Sequence, residues 1–314
     1  MNYIDLLITG GTGLVGHALQ KIQPDAVYIS SKDFDLTKED QVKAMYEKYK
    51  PDQVIHLAAQ VGGIIKNINF PADLLYQNIL MNSFVVHYAH KHDVKKFIGV
   101  LSNCSYPDVA KDYPMKEGYF YDGPPQETNF AYAYSKRTLG VQIESYKKQY
   151  KSNFYSVIPC NMYGSYDNFD KEHSHFVAAL IRKIHEAKEK GEKTINLMGT
   201  GKPLRQYLFS EDCAKILLIL MEKHEWNGPV NIAPKSENPS IAEIARIALD
   251  AMDAKDIDLK FDKKSPDGVF RKDISIEKLQ GIIEDIEFTS LKDGIKKTYE
   301  WYLECIDNLK GGKL

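Results

Sequence analysis

The chain has 314 residues and a formal net charge of -2, from 41 Lys and Arg against 43 Asp and Glu. That length holds one large domain or two intimate ones. The balanced charge leaves no global basic footprint, so no nucleic-acid partner is expected, and an anionic ligand must be met by a local cluster of cations. No apolar run approaches the roughly 18 residues that span a bilayer, so no membrane partner is expected. Met1 leads directly into a strand-like segment with no basic region and cleavage site, which predicts a cytoplasmic protein. Cys104, Cys160, Cys213 and Cys305 stand far apart without metal-type spacing, which fits free thiols, a reducing compartment and no metal site.

Residues 4–9 form a short apolar run bounded by glycines and read as a buried strand, with a helix over 14–22 and a second strand over 26–30. Thr37 is the expected N-cap of the next helix, with Glu39 and Asp40 in its first turn and Pro51 ending it. Strands over 53–57, 96–101 and 154–158 alternate with long helices over 71–91 and 132–150. This alternation predicts an α/β protein with a doubly wound parallel (Rossmann-type) sheet and right-handed crossovers. After about Asp167 the alternation breaks down. Helices are expected over 175–190, 210–223, 241–252 and 290–306, and strands over 194–198 and 229–232. The chain is therefore divided into a dinucleotide-binding unit over 1–167, to which 206–233 returns, and a smaller mixed α/β C-terminal substrate unit over 168–314. The tail at 310–314 is expected to fray.

Gly10, Gly13 and Gly16 follow a strand and open a helix. In that context glycines permit a tight turn and a close approach of backbone to a pyrophosphate, which the helix N-terminus, at Leu14 and Val15, then receives. The end of the second strand selects the dinucleotide. A carboxylate there would bind a ribose 2′-hydroxyl and repel a 2′-phosphate. Ser31 and Lys32 stand there instead, which favours NADP. Asp35 and Leu36 are expected near the adenine, and Leu57, Ala58 and Ala59 supply small residues where the cofactor passes the third strand.

Tyr132 and Lys136 are four apart, on one face of a helix. A neighbouring ammonium and the nicotinamide charge of the cofactor favour the phenolate, so Tyr132 is expected to exchange a proton near neutral pH and to protonate a carbonyl oxygen as hydride reaches the carbon. Lys136 also reaches toward the nicotinamide ribose. Ser102, at the end of the fourth strand, can hydrogen-bond the same oxygen. The glycine loop, Ser102 and the Tyr132/Lys136 pair, in this order, resemble the extended short-chain dehydrogenase/reductase superfamily.

Within that superfamily, Cys104 beside Ser102 resembles the GDP-L-fucose synthase family of 3,5-epimerase/4-reductases. Further matching stretches are Val61-Gly62-Gly63-Ile64, Gly123-Pro124-Pro125, Asp167-Asn168-Phe169 with Ser174-His175, and Gly199 to Gln206. The resemblance covers roughly residues 4–212. It implies NADPH as hydride donor and a GDP-linked keto-sugar as substrate. It further implies Cys104 as base and His175 as acid at C3 and C5, and substrate contacts at Asn161, Lys183 and Arg205. A 4-keto group acidifies the hydrogens at C3 and C5, so one pocket with two opposed proton-transfer groups can epimerise before it reduces. The family carries a Trp near the guanine; Met198 stands there, and a thioether is a less specific partner for a flat ring.

Two other readings follow from the same residues: a C4 reductase that does not epimerise, acting on a GDP-4-keto-heptose of bacterial capsules, and a non-catalytic NADP-sensing protein. The second would be expected to lack Tyr132 or Lys136. The helices over 71–91 and 132–150 are the pair through which the superfamily dimerises, which implies a homodimer.

Overall fold

The structure, a computed structural model, describes residues 5–171, 174–223, 226–235, 238–265 and 267–310. Its first half runs β1 (Leu6–Thr9), α1 (Leu14–Ile22), β2 (Val27–Ile29), α2 (Glu39–Tyr49), β3 (Gln53–His56), α3 (Ile64–Asn69), α4 (Pro71–Lys91), β4 (Lys96–Val100), α5 (Phe130–Tyr150) and β5 (Phe154–Pro159). The second half runs β6 (Asn161–Tyr163), α6 (Phe176–Lys190), β7 (Thr194–Met198), β8 (Tyr207–Phe209), α7 (Ser210–Glu222), β9 (Val230–Ile232), α8 (Ile241–Ala251), β10 (Asp258–Asp262), α9 (Glu277–Ile282) and α10 (Leu291–Lys310).

Six strands pair in parallel in the order β2-β1-β3-β4-β5-β9. Parallel strands covered on both faces read as continuous apolar runs, and β1, β4 and β5 are buried at every position. On one face α1 packs against α7; on the other α4 packs against both α2 and α5. The fold is the doubly wound one that the alternation predicts. The order reverses at β1, where the crossover to β2 leaves one way and β3 lies on the other side. Such a switch point opens a crevice at the carboxyl ends of the strands.

A second hydrophobic cluster, built from α6, α8, α10 and the inward residues Ile195 and Leu197 of β7, stands apart from the sheet core. The sheet core itself takes in β9 and α7, and also Ile274, Ile276 and Leu279 around α9. Helix α8 begins with a reciprocal cap: Ser240 Oγ accepts the Glu243 N–H at 3.2 Å and Glu243 Oε2 accepts the Ser240 N–H at 2.7 Å.

Several expectations need correction. Thr37 does not cap α2; Lys38 is the N-cap, with no side-chain bond. The Thr37 hydroxyl instead donates to Asp35 Oδ1 at 2.7 Å, closing a local turn before the helix. Helix α5 starts at Phe130, after a 3₁₀ turn over Glu127–Asn129. Elements α3, β6, β8, β10 and α9 were not expected. Ile4 and the tail after Lys310 lie outside the described residues.

Candidate active site

The glycine turn is packed so that side chains cannot enter it. Gly10 has φ of +74°, and a Cβ there would lie 2.8 Å from the Ala58 nitrogen at the end of β3. A Cβ on Gly16 would run into the Gly10 and Gly11 carbonyls. Gly13 is the N-cap of α1 and offers no side chain to the first turn. The N–H groups of Leu14, Val15 and Gly16, in the first turn of α1, have no intrahelical acceptors, the local feature of an anion site. A Cβ-free cradle of this shape fits a dinucleotide pyrophosphate.

At the β2 end, Ser31 and Lys32 are exposed. A carboxylate is nearer than the sequence suggested, because Asp33 folds back. Its Oδ2 accepts the Ser30 N–H at 2.8 Å and the Ser30 hydroxyl at 2.6 Å, which holds its pKa below the usual range. That bonding spends the carboxylate within the turn and leaves Lys32 at the tip. The Asp35 carboxylate is likewise spent on Thr37, at 3.0 Å from its N–H, and the Leu36 side chain is buried in the sheet core. Leu57, Ala58 and Ala59 are half-buried beside the glycine turn.

Beneath this cradle runs a buried polar chain. The Thr9 hydroxyl lies 2.7 Å from His56 Nδ1, and His56 Nε2 lies 3.0 Å from Asn82 Oδ1. An amide oxygen accepts, so Nε2 carries the proton and Nδ1 accepts from Thr9. Asn82 Nδ2 then donates to the Ser135 carbonyl of α5 at 3.4 Å. Burial first, and the Lys136 charge second, lower the His56 pKa to about 3.

Lys136 is buried and donates to the Val100 carbonyl at 2.7 Å, with its nitrogen 5.9 Å from the Tyr132 ring centre. Burial lowers its pKa to about 8. Burial pushes the Tyr132 phenol well up, Cys104 adds to that, and a hydrogen bond with Ser102 opposes it only in part. The chain's own residues thus favour the protonated phenol, the form a general acid needs.

Ser102 Oγ accepts the Cys104 N–H at 3.2 Å and so shapes the turn that carries the thiol. Two further bonds stitch that turn to α5. The Ser105 hydroxyl donates to the Ala133 carbonyl at 3.1 Å, and Arg137 Nε donates to the Ser105 carbonyl at 2.8 Å. Arg137 Nη1 also holds the Gly123 carbonyl at 2.8 Å.

From Cys104 the site continues through mutual electrostatic influence. Cys104 acts on Arg205, Arg205 and Asp167 both act on Tyr207, and Asp167 acts on His175. Ser102, Cys104, Tyr132 and Lys136 thus lie together, Arg205 is within electrostatic reach of Cys104, and His175 is linked to them only through Asp167 and Tyr207. Lys183, on α6, donates to the Asn196 carbonyl at 3.1 Å, and burial lowers its pKa. Asn161 begins β6, opposite Tyr207 in the register. Met198 ends β7 and is 71% exposed. A cavity of 440 Å³ opens between Gln126–Thr128 and Gly268–Phe270. A larger one, 690 Å³, lies beside Leu204, Gln206, Arg271 and Asp273, away from Tyr132, Cys104 and His175. Neither cavity is lined by Tyr132, Cys104 or His175.

The sequence pattern of the NAD dependent epimerase/dehydratase family matches residues 6–233. The GDP-L-fucose synthase of Dictyostelium discoideum is 36% identical over 307 residues, 95% of each chain. The crystal structure of a GDP-L-fucose synthetase from Naegleria fowleri bound to NADP superposes with a TM-score of 0.90 at 35% identity, covering 98% of this chain and 95% of that one. This chain belongs to the GDP-L-fucose synthase group of that family. A GDP-6-OMe-4-keto-L-xylo-heptose reductase from C. jejuni is also similar, with a TM-score of 0.87 at 26% identity over 97% of this chain and 99% of that chain.

For a member of this family, the sequence overlooked four residues at the site. Asp167 acts on both Tyr207 and His175, Arg137 clamps the cysteine turn, and Lys272 donates to Gln126 Oε1 at 3.1 Å beside the smaller cavity. Tyr207 and Lys272 are single residues in unremarkable contexts. Asp167 stood within a noted motif but carried no role. His173, near His175 in sequence, lies outside the described residues.

Proposed function

We propose that the chain reduces the C4 keto group of a GDP-4-keto-sugar with NADPH, after epimerisation at C3 and C5. What supports this is the Cys104 thiol on the turn that Ser102 shapes, next to the Tyr132/Lys136 pair, together with an imidazole, His175, that Asp167 holds, in a relative of the GDP-L-fucose synthases. The glycine turn and Lys32 fit NADP. When bound, NADPH supplies hydride to C4.

In this reading Cys104 withdraws the proton that the 4-keto group acidifies, and His175 returns one from the other face. Tyr132 then protonates the C4 oxygen, with Ser102 donating to the same atom. Lys136, fixed between α5 and Val100, supplies charge behind Tyr132. Arg205 and Lys183 face the diphosphate, and Asn161 and Met198 line the path to sugar and base. Residues 1–167 with 206–233 form the cofactor unit, and the rest of 168–314 the substrate unit. The protein acts as a cytoplasmic homodimer: α4 and α5 leave Tyr76 (66% exposed) and Val141 (53%) on their outer faces, apolar groups that a second copy can cover.

A second reading, C4 reduction of a GDP-heptose without epimerisation, is favoured by Met198 at the base position and by the likeness to the C. jejuni heptose reductase. Incubation with NADPH and GDP-4-keto-6-deoxy-mannose in deuterated water separates the two. Oxidised cofactor with deuterium at C3 and C5 is expected; oxidation without deuterium would sink the epimerase part. Tyr132→Phe is expected to keep the deuterium exchange and lose roughly 10²–10⁴-fold of the reduction rate.

A further inference from the structure

His175 is the N-cap of α6 and makes no capping bond to its first turn. The positive end of a helix dipole disfavours a cation there by roughly 0.3–1 kcal/mol. In that field alone the ring would be mostly neutral at physiological pH, a poor state for giving up a proton. Asp167 tips the balance the other way. Its Oδ1 lies 3.7 Å from His175 Nδ1, an ion-pair separation at the outer edge of a hydrogen-bonding contact. The Asp167 side chain is buried while that of His175 is 56% exposed. Oδ1 also accepts the Asn168 N–H at 2.7 Å, and Oδ2 is buried without a partner among the described residues. A buried carboxylate left half-satisfied is costly unless a cation faces it. Asp167, through its polar contact with the ring first and its charge last, raises the imidazole pKa against the opposing effect of burial.

Asp167 is itself fixed. Tyr166, just before it, has φ of +66°, a conformation that is costly for a bulky side chain and persists only when its surroundings impose it. Those surroundings are His17 of α1, stacked on the Tyr166 ring at 3.9 Å, and Trp301 of α10 at 4.7 Å. The Asp167 N–H also closes a turn on the Gly164 carbonyl at 3.3 Å. The carboxylate that faces His175 is thus held from the same helix whose first turn forms the glycine cradle.

We propose that Asp167 is the positioning residue for His175, holding its ring charged with Nδ1 turned inward so that Nε2–H is the proton given to the sugar carbon. This rests on the reading of His175 as the acid. In the step, the Nε2–H bond breaks as a C–H bond forms on the enolate carbon. The neutral ring keeps Nδ1–H against Asp167, and solvent restores the lost proton; Asp167 takes none. The other titratable groups around the pair are Tyr207, which Asp167 influences directly, then Arg205 and Cys104 beyond it. Glu172 and His173 lie outside the described residues.

The test is an NMR titration of the His175 ring in NADP-loaded protein, with His175→Asn identifying its resonance. A wild-type midpoint above 6.5 is expected; a midpoint at or below it overturns the proposal without any Asp167 variant. In Asp167→Asn the midpoint should fall by at least one pH unit, and Asp167→Glu should recover most of the drop. The rate of deuterium exchange at neutral pH should fall at least tenfold in Asp167→Asn, with KM changed less than about twofold. An unchanged midpoint in that variant also overturns the proposal. If His175→Asn still exchanges deuterium at both carbons, the reading of His175 as acid fails instead, whatever Asp167 does to the midpoint.

Discussion

Lys32 shows how much one residue can select. It is exposed at the end of β2, in the turn that Asp33 closes by binding Ser30. A charge-assisted bond to a phosphate is worth about 1.5–3 kcal/mol, or roughly ten- to a hundredfold in affinity. Lys32→Ala should therefore weaken NADPH binding by about that factor in a fluorescence titration and leave NADH within about twofold. Equal losses for both cofactors would mean that Lys32 does not read the 2′-phosphate. The protonation of Tyr132 belongs to the same scale. Burial and the nearby Cys104 raise its pKa, and neither effect is visible in a spacing of four.

Among the elements, α1 depends most on a single small residue. Its buried face is Val15, Gly16, Ala18 and Leu19, and Gly16 sits against the Gly10 and Gly11 carbonyls. Those contacts are to backbone, which cannot swing aside. Gly16→Ala is expected to displace α1 from the turn, cut NADPH affinity at least tenfold, and lower the thermal midpoint measured without cofactor. Normal affinity in that variant would show that the turn is softer than its packing implies. Element β10 makes the converse point. Asp258-Leu259-Lys260-Phe261-Asp262 alternates polar and apolar, the pattern of a half-buried strand, and it pairs with β7 throughout. Its charged residues drew attention to composition and away from period.

At the scale of the molecule, the chain Thr9–His56–Asn82 joins β1, β3 and α4 and reaches the α5 backbone. His56 stays neutral in the folded state down to about pH 3 but accepts a proton near 6.5 when unfolded. Between these values the unfolded state binds the extra proton. The contribution of His56 is thus complete above pH 6.5 and falls by about 1.4 kcal/mol per unit as pH drops toward 3. Urea unfolding from pH 7.5 to 4.5 should show a shallower loss in His56→Gln than in wild type; parallel curves would mean that His56 can be charged in place. His175, with a raised pKa, works in the opposite sense near neutrality. Assembly belongs to this scale too. Light scattering at micromolar concentration should give a dimer that Val141→Glu dissociates, and a wild-type monomer would refute the pairing through α4 and α5.

The sheet, its order of strands and helices, the dinucleotide turn and the Tyr132/Lys136 pair were legible in the sequence because each depends on local chemistry. Continuous apolar runs make buried parallel strands, glycines permit the turn, and a spacing of four puts two side chains on one helix face. Short β6 and β8 were not legible, since three residues carry no usable period. Nor were Arg137 behind the cysteine turn, Tyr207 within reach of both Arg205 and Asp167, or the Asp167 carboxylate facing His175. Those residues act across separate elements, so their roles exist only once the crossovers and the return from α7 to β9 bring them together. Burial, which sets the protonation of Tyr132, Lys136 and His56, is likewise a property of the packed molecule and not of any segment.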